Sequence, residues 1–352
     1  MAVSGTGIAP ASGSVFNELT SVTRRAFVPK LVVQMYFASP SLYYLWGNAQ
    51  KAAGGLNQVT VPLQGQSMVQ GQYIGYMGGF NSPTVTPGIL SGQWNLSFWA
   101  VPVPLPFGET IIQASEREIS ILEARMNDVY AVTRQQVATQ LYTQNAAQNP
   151  LYPNSFKDAF DNGTNLATYG GINRTAAGNS NFQGQYINAG SGTTWNTQYG
   201  TSTAGWSRAA MSALIMKITT VAGGEAPTFG VMNPGDLATT NASFIGVENQ
   251  YVMPGRAYDA DTPIRSSFPN INVAGVPIFA DYFVPVGNIF FSNNKYTSMY
   301  ISEDAAMDFS GFYSLVPLGQ IGQQGVCVLG YNLLSTKSSS GAWVYGFGGN
   351  SF

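Results

Sequence analysis

The sequence predicts an α+β chain, and three observations carry that reading. Residues 109–149 contain no Gly and no Pro, although the chain holds 40 and 19 of them, and their apolar positions recur at helical spacing. The stretch before them mixes β-branched and aromatic residues with Gly/Pro punctuation, the pattern of strands and turns. A second amphipathic segment at 206–222 is followed by several further strand-like runs.

In chain order, residues 1–15 are small and polar. In VFNELTSVTRRAFVPKLVVQMYFASPSLYYLW, Arg24, Arg25 and Lys30 against Glu18 make the segment locally basic. Pro29 and Pro40 divide it into short pieces, an extended arm with a helical turn or two. The runs NQVTVPLQGQSMVQGQYIGYMGGF and ILSGQWNLSFWAVPVPLPFG flank the turn-rich NSPTVTPG and predict a long β-hairpin. A lone hairpin is marginal in water, so this one is expected to lie on another element or another subunit.

From Glu109, the positions Ile112, Ser115, Ile119, Leu122, Met126, Val129, Thr133, Val137 and Leu141 step by threes and fours. Thr110–Gln113 and Ser115–Glu118 match capping boxes, and Asn149-Pro150 is the expected stop, giving a helix of some 30 residues, roughly 50 Å. Residues 151–205 are Gly/Asn-rich and irregular. In WSRAAMSALIMKITTVA, Met211, Leu214, Ile215 and Ile218 share a helical face, and Gly223-Gly224 stops it. PTFGVMN predicts a buried strand, Pro234-Gly-Asp236 a helix start, and the run from Ile271 to Ser302 several strands. Ser302-Glu-Asp304 is read as a further short helix start. VCVLGYNLLST and GAWVYGF close the chain as strands.

Composition narrows the chemistry. The chain has no histidine, which removes the commonest general base and transition-metal ligand, and with them Ser–His–Asp and Cys–His systems. Its single cysteine, Cys327, lies between valines and is expected to be buried. Net charge is −2, so no overall basic footprint for nucleic acid exists. Only 9% of residues are charged, against about a quarter in ordinary soluble domains, and residues 52–108 carry no charge at all. So few like charges suit a surface covered by other copies. The opening MAVSGTGIAP lacks a secretory signal pattern, and no uncharged run makes a membrane helix, which predicts a cytoplasmic origin.

The acidic and glycine clusters have plainer roles than chemistry. Glu109, Glu116, Glu118, Glu123 and Asp128 cluster on the long helix, but Arg117, Arg125 and Arg134 are interleaved and Arg125–Asp128 has surface-pair spacing. The wet side of a helix explains them better than a carboxylate site. Asp259 and Asp261 lack the further oxygen ligands of a calcium loop. Glu303, Asp304 and Asp308 are taken as helix-terminal charges. Gly170-Gly171 has no Lys-bearing phosphate loop around it. Neither a catalytic site, a metal site nor a cofactor is therefore expected.

Together, TRRAFVPKLVVQMYFASP, VTVPLQGQSMVQGQYIGYMGGF, LEARMNDV, NGTNLATYGGINRT, TFGVMNP and VAGVPIFADYFVPVGNIFF, in that order, resemble the major capsid proteins of tailed bacteriophages with the Hong Kong 97-type fold. The resemblance implies an N-terminal arm at 1–55 and an extended loop at 56–108. It implies a peripheral domain with a spine helix at 109–205, an axial domain at 206–310, and a return to the peripheral domain at 311–352. It also implies self-assembly into pentamers and hexamers of an icosahedral shell around double-stranded DNA, built in the host bacterial cytoplasm and found in the virion.

The partners it implies are copies of the chain, a separate scaffold protein, a portal protein, decoration proteins and non-specifically contacted DNA, with no membrane. Subunit contacts are expected from Tyr73, Tyr76, Phe80, Trp94, Phe98 and Trp99 of the loop, and from Arg24, Arg25, Phe27 and Lys30 of the arm. Because 52–108 has no Lys, the loop-borne isopeptide crosslink of some members is not expected. A β-rich outer-surface or porin-like protein is the competing reading, which the 109–149 helix opposes. An enzyme ranks third, for want of a motif.

Overall fold

The computed structural model describes residues 39–52, 57–65, 73, 74, 76, 78, 88–106, 121–143, 149, 151–190, 193, 195, 198, 207–245, 270–315 and 322–346. The helices are α1 (Pro40–Gly47), α2 (Ile121–Gln140), α3 (Phe156–Ala159), α4 (Arg208–Val221) and α5 (Pro234–Ile245). The first strands are β1 (Gln50–Ala52), β2 (Gln58–Gln64), β3 (Ile89–Asn95), β4 (Ser97–Pro106), β5 (Thr168–Tyr169), β6 (Ile172–Asn173) and β7 (Gln185–Asn188). They are followed by β8 (Phe229–Met232), β9 (Asn270–Val273), β10 (Val276–Ala280), β11 (Asn288–Ser292), β12 (Thr297–Phe309), β13 (Tyr313–Ser314), β14 (Gly322–Ser335) and β15 (Ala342–Tyr345).

Two compact units emerge. The larger takes its described residues from Phe37–Phe98, Val137–Asp304 and Gly330–Phe352, and the smaller from Trp99–Gln136 and Ala305–Leu329. The larger is organised on a six-stranded sheet of order β7-β15-β11-β8-β10-β9. The pairs β7–β15 and β8–β10 are parallel and the other pairings antiparallel.

Side chains alternate across a strand, and both sheet faces are covered. Ile187, Met232, Ile271, Val273, Val276, Ile278, Ile289, Phe291, Ala342 and Val344 face one way. They pack on the α4 stripe of Met211, Leu214, Ile215 and Ile218. The opposite face is aromatic: Phe290 meets Tyr142 at 5.4 Å and Phe156 at 6.1 Å, and Phe229 meets Tyr44 of α1 at 5.3 Å between ring centroids. The all-buried β8 and the α4 face match the sequence reading. Ser207 caps α4, and Gly223 and Gly224 end it at φ +74° and +95°. Gly224 N–H bonds the Thr219 carbonyl and Gly223 N–H that of Thr220.

In the smaller unit, Met126 and Val129 of α2 pack with Val101 and Val103 of β4 and with the buried Cys327 of β14, as its valine flanks predicted. Arg125 donates to the Pro104 carbonyl. Strands β12, β14 and β13 neighbour one another in that order, with β4 also on β14.

Three expectations are corrected. The long helix ends at Gln140 rather than at Asn149-Pro150; its described part is 20 residues, about 30 Å long. Beyond it, Tyr142 N–H bonds the Thr139 carbonyl and Thr143 N–H that of Gln140, in tighter turns, while the Leu141 carbonyl accepts from Phe156 N–H. Seating Tyr142 in the aromatic layer outweighs local helix propensity. The second hairpin run pairs with the first only as far as Asn95, because from Ser97 the chain leaves to join β14. Ser302, Glu303 and Asp304 start no helix. They lie inside β12, where Tyr300–Ser302 pair in parallel with Gln50–Ala52, so ladder hydrogen bonds prevail over the acidic helix-start signal. Glu303, Asp304 and Asp308 are exposed on that strand.

The capping boxes at Thr110–Gln113 and Ser115–Glu118, the acids Glu109, Glu116 and Glu118, and Asp259 and Asp261 lie outside the described residues.

Candidate subunit-contact surface

The β2–β3 hairpin pairs Gln58–Gln64 with Asn95–Ile89 in antiparallel register. Its alternation gives one half-buried face, with Val59, Val61, Leu63, Leu90 and Trp94, and one exposed face, with Thr60, Gln64, Ser91 and Gln93 beside the apolar Pro62 and Ile89. Every described residue of the hairpin is uncharged.

The root of the hairpin is tied down within the larger unit. Gln93 N–H donates to the Gly170 carbonyl at 2.9 Å. Asn332 Nδ2 donates to the Asn95 carbonyl at 2.6 Å, while its Oδ1 accepts from Asn154 and Leu333 N–H. At the opposite end of the described ladder, Asn181 Nδ2 donates to the Gly65 carbonyl at 3.1 Å.

The support beneath is the 155–185 segment, which the sequence left as an irregular region. Ser155 and Asp158 form a reciprocal capping box on α3. One oxygen of Asp161 accepts from the backbone N–H groups of Gly163, Asn165 and Leu166, so the loop folds around its own buried carboxylate. Gly170 and Gly171, at φ +58° and +77°, make the two-residue turn joining β5 to β6. Arg174 is completely buried and donates to the carbonyls of Asp158, Ala159 and Asp161. Its guanidinium carbon sits 4.5 Å from the Tyr169 ring centroid and Nη1 3.8 Å from Asp161 Oδ2. Burial pulls the Arg174 pKa below its ordinary value, opposed by Tyr169, Asp161 and Asp158. Burial likewise pushes the Tyr169 hydroxyl up.

The sequence-named contact residues separate into three groups. Tyr73 and Tyr76 are fully solvent-exposed, at 109% and 103% of the reference area, and Phe98 is 56% exposed. Trp99 is half-buried. Trp94 is only 3% exposed, inserted into its own unit against Tyr169 and Gly170, so its burial needs no neighbouring copy. Phe80, Arg24, Arg25, Phe27 and Lys30 lie outside the described residues. Sequence reasoning missed Tyr169, Arg174 and Asn332. The one available signal was an Arg beside a Gly-Gly turn in an otherwise charge-poor stretch.

Among the described residues no three His, Cys, Asp or Glu side chains converge as a metal site would require. No described helix is long and apolar enough to cross a membrane.

No protein-family profile and no curated protein sequence matches the chain. Solved structures do. The cyanophage A-1(L) capsid asymmetric unit superposes with a TM-score of 0.64 at 13% identity, covering 92% of this chain and 97% of that one. The capsid of Myoviridae phage XM1 gives 0.53 at 12% identity, with 92% and 97% coverage. An encapsulin complex from Synechococcus elongatus PCC 7942 gives 0.53 at 10% identity, with 93% and 95% coverage. The chain has the Hong Kong 97-type fold.

Proposed function

We propose that the protein is the major capsid protein of a tailed bacteriophage, a structural subunit that assembles with copies of itself into an icosahedral shell around double-stranded DNA. The observation that carries this reading is a fold shared with phage capsid proteins over 92% of the chain, with a charge-free hairpin holding fully exposed aromatics away from its root. Such side chains have no partner to exclude water from them in an isolated subunit, and a neighbouring copy supplies one.

Many weak, repeated contacts then close the shell cooperatively. Tyr73, Tyr76, Phe98 and Trp99 are the loop residues proposed to meet a neighbour, and Arg24, Arg25, Phe27 and Lys30 those of the arm. Pentamers and hexamers are the proposed capsomers, with the arm, extended-loop, peripheral and axial domains divided as the family resemblance implies. A separate scaffold protein, a portal protein and decoration proteins are the proposed partners. Assembly in the host cytoplasm, non-specific DNA contact and the absence of an enzymatic step complete the proposal.

Electron microscopy and light scattering of the purified protein test it. Closed megadalton shells or free capsomers are expected, and a monomer that stays monomeric under crowding salts overturns it. The absence of Lys from 52–108 adds that mature particles run as single chains on a denaturing gel, without a covalent ladder.

A further inference from the structure

We propose that Trp94 and the slot that holds it, made of Gly92, Tyr169 and Gly170 with Arg174 behind, are the positioning element that sets the direction of the extended hairpin. The inference rests on the shell reading, because the hairpin's direction decides where its exposed aromatics meet the next copy.

The slot is close-fitting from two sides. A Cβ at Gly92 would lie 2.4 Å from the Trp94 ring, and one at Gly170 would lie 2.5 Å from it, so the indole fits only because both positions are glycine. Gly170 is further committed by its φ of +58°, which the turn requires. Tyr169 meets Trp94 edge-on, with centroids 5.6 Å apart and planes at 65°.

Tyr169 is itself held. Its hydroxyl accepts from Ser335 N–H at 3.1 Å, which anchors the ring to β14. Arg174 covers the ring from a guanidinium fixed by three backbone carbonyls. A planar fork bonded in this way has little freedom to shift, and a lysine cannot reproduce it. From β14 the order of contact is therefore Tyr169, then Trp94, then β3, with Arg174 setting the tilt of the Tyr169 ring. The bonds from Gln93 to Gly170 and from Asn332 to Asn95 hold the strand in register at the same root.

A lever argument shows why a fixed root matters. Seven residues of extended chain span roughly 24 Å at about 3.4 Å per residue, so a tilt of about 5° in the anchored ladder displaces a contact that far beyond it by about 2 Å. Apolar contact is lost over about that distance. A preorganised hairpin also avoids the ordering cost of being captured by a neighbour. A tryptophan that merely filled the core would contribute stability without constraining that angle.

The test places spin labels at Tyr76→Cys and Lys295→Cys in a Cys327→Ala background and measures the distance distribution by pulsed dipolar spectroscopy. Trp94→Phe, Gly170→Ala and a distant core variant, Leu214→Ala, are compared with the parent for helix content, melting temperature and label distance, and shell formation is followed in the same proteins without the label substitutions, because Tyr76 is itself a proposed contact. The parent is expected to give one narrow distance population. Trp94→Phe and Gly170→Ala are expected to broaden or shift it by several ångströms and to slow shell formation about tenfold. Leu214→Ala is expected to lower the melting temperature while leaving distance and assembly rate unchanged. Unchanged distances in the slot variants overturn the proposal, as does altered distance with undisturbed assembly, or an equal assembly defect in Leu214→Ala. Should Gly170→Ala not fold, Trp94→Phe decides alone. A parent that forms no shells refutes the shell reading instead, and the distance measurement still tests the slot.

Discussion

Three hydroxyl groups converge on one oxygen of Asp281: Ser39 Oγ at 2.6 Å, Ser41 Oγ at 2.8 Å and the Tyr142 hydroxyl at 2.8 Å, while Phe283 N–H reaches the other oxygen at 3.0 Å. A buried carboxylate is tolerated when hydrogen bonds replace its water, and these donors come from three separate parts of the chain. Asp281→Ala removes their shared acceptor, leaving only the Tyr142–Ser41 and Ser39–Ser41 contacts, and is expected to lower stability by about 2–4 kcal/mol, read by urea denaturation. Burial and the nearby Asp281 charge push the Tyr142 hydroxyl well above its ordinary 10.0, and burial moves Tyr169 the same way. A folded-state pKa above the unfolded one gives stability that is complete below about pH 10 and lost as pH climbs through the folded value. The protein has no histidine to titrate near neutrality. A pH series of unfolding midpoints should therefore show an alkaline fall that begins near pH 10, shallower in Tyr142→Phe.

Among the elements, α4 is the one whose sequence and structure agree most closely, and its ends can be tested independently of its core. Nothing lies within 4 Å of a Cβ built at Gly223, so Gly223→Ala meets no clash and its cost is that of the φ of +74° alone. A loss of about 1 kcal/mol is expected by thermal melting. Helix α2 offers the opposite sign. Among the described residues the buried Thr133 hydroxyl has no hydrogen-bond partner, so Thr133→Val keeps the shape and removes a desolvated polar group. A gain of about 1 kcal/mol in chemical denaturation is expected, and a loss would mean that the hydroxyl is bonded.

At the scale of the whole molecule, a sequence poor in charge and the exposed tyrosines Tyr73 and Tyr76 between β2 and β3 point the same way. Ordinary soluble chains keep copies apart with charge, whereas this one has 32 charged side chains in 352 residues, 15 basic and 17 acidic. Replacing Tyr73 and Tyr76 together by Ala is expected to leave subunit stability within about 0.5 kcal/mol, because both side chains are already in water. Shell formation, followed by light scattering, should fall sharply. If assembly is unaffected, the tip does not contact a neighbour.

Periodicity was the part of the structure legible in the residues alone. The 3.6-residue spacing of Met211, Leu214, Ile215 and Ile218 and the fully apolar Phe229–Met232 run each define an element by the side chains they must bury. The Gly/Pro-flanked runs likewise define the hairpin, and the order of these elements carried the resemblance. What a local pattern does not contain is the identity of a distant partner. Trp94 looked like a contact for another copy because nothing near it in sequence shows that Gly170 and Tyr169 would enclose it. Ser302, followed by Glu303 and Asp304, looked like a helix start because β1, the parallel partner of its strand, lies about 250 residues away along the chain. The halt of α2 at Gln140 depends on Tyr142 finding Asp281, 139 residues away. By itself the sequence determined the strongly periodic segments, such as Arg208–Val221 and Phe229–Met232, and how little charge the chain carries. Tertiary structure alone decided which aromatic side chains are enclosed and which remain exposed, since enclosure is a property of surfaces brought together and not of the residues beside them.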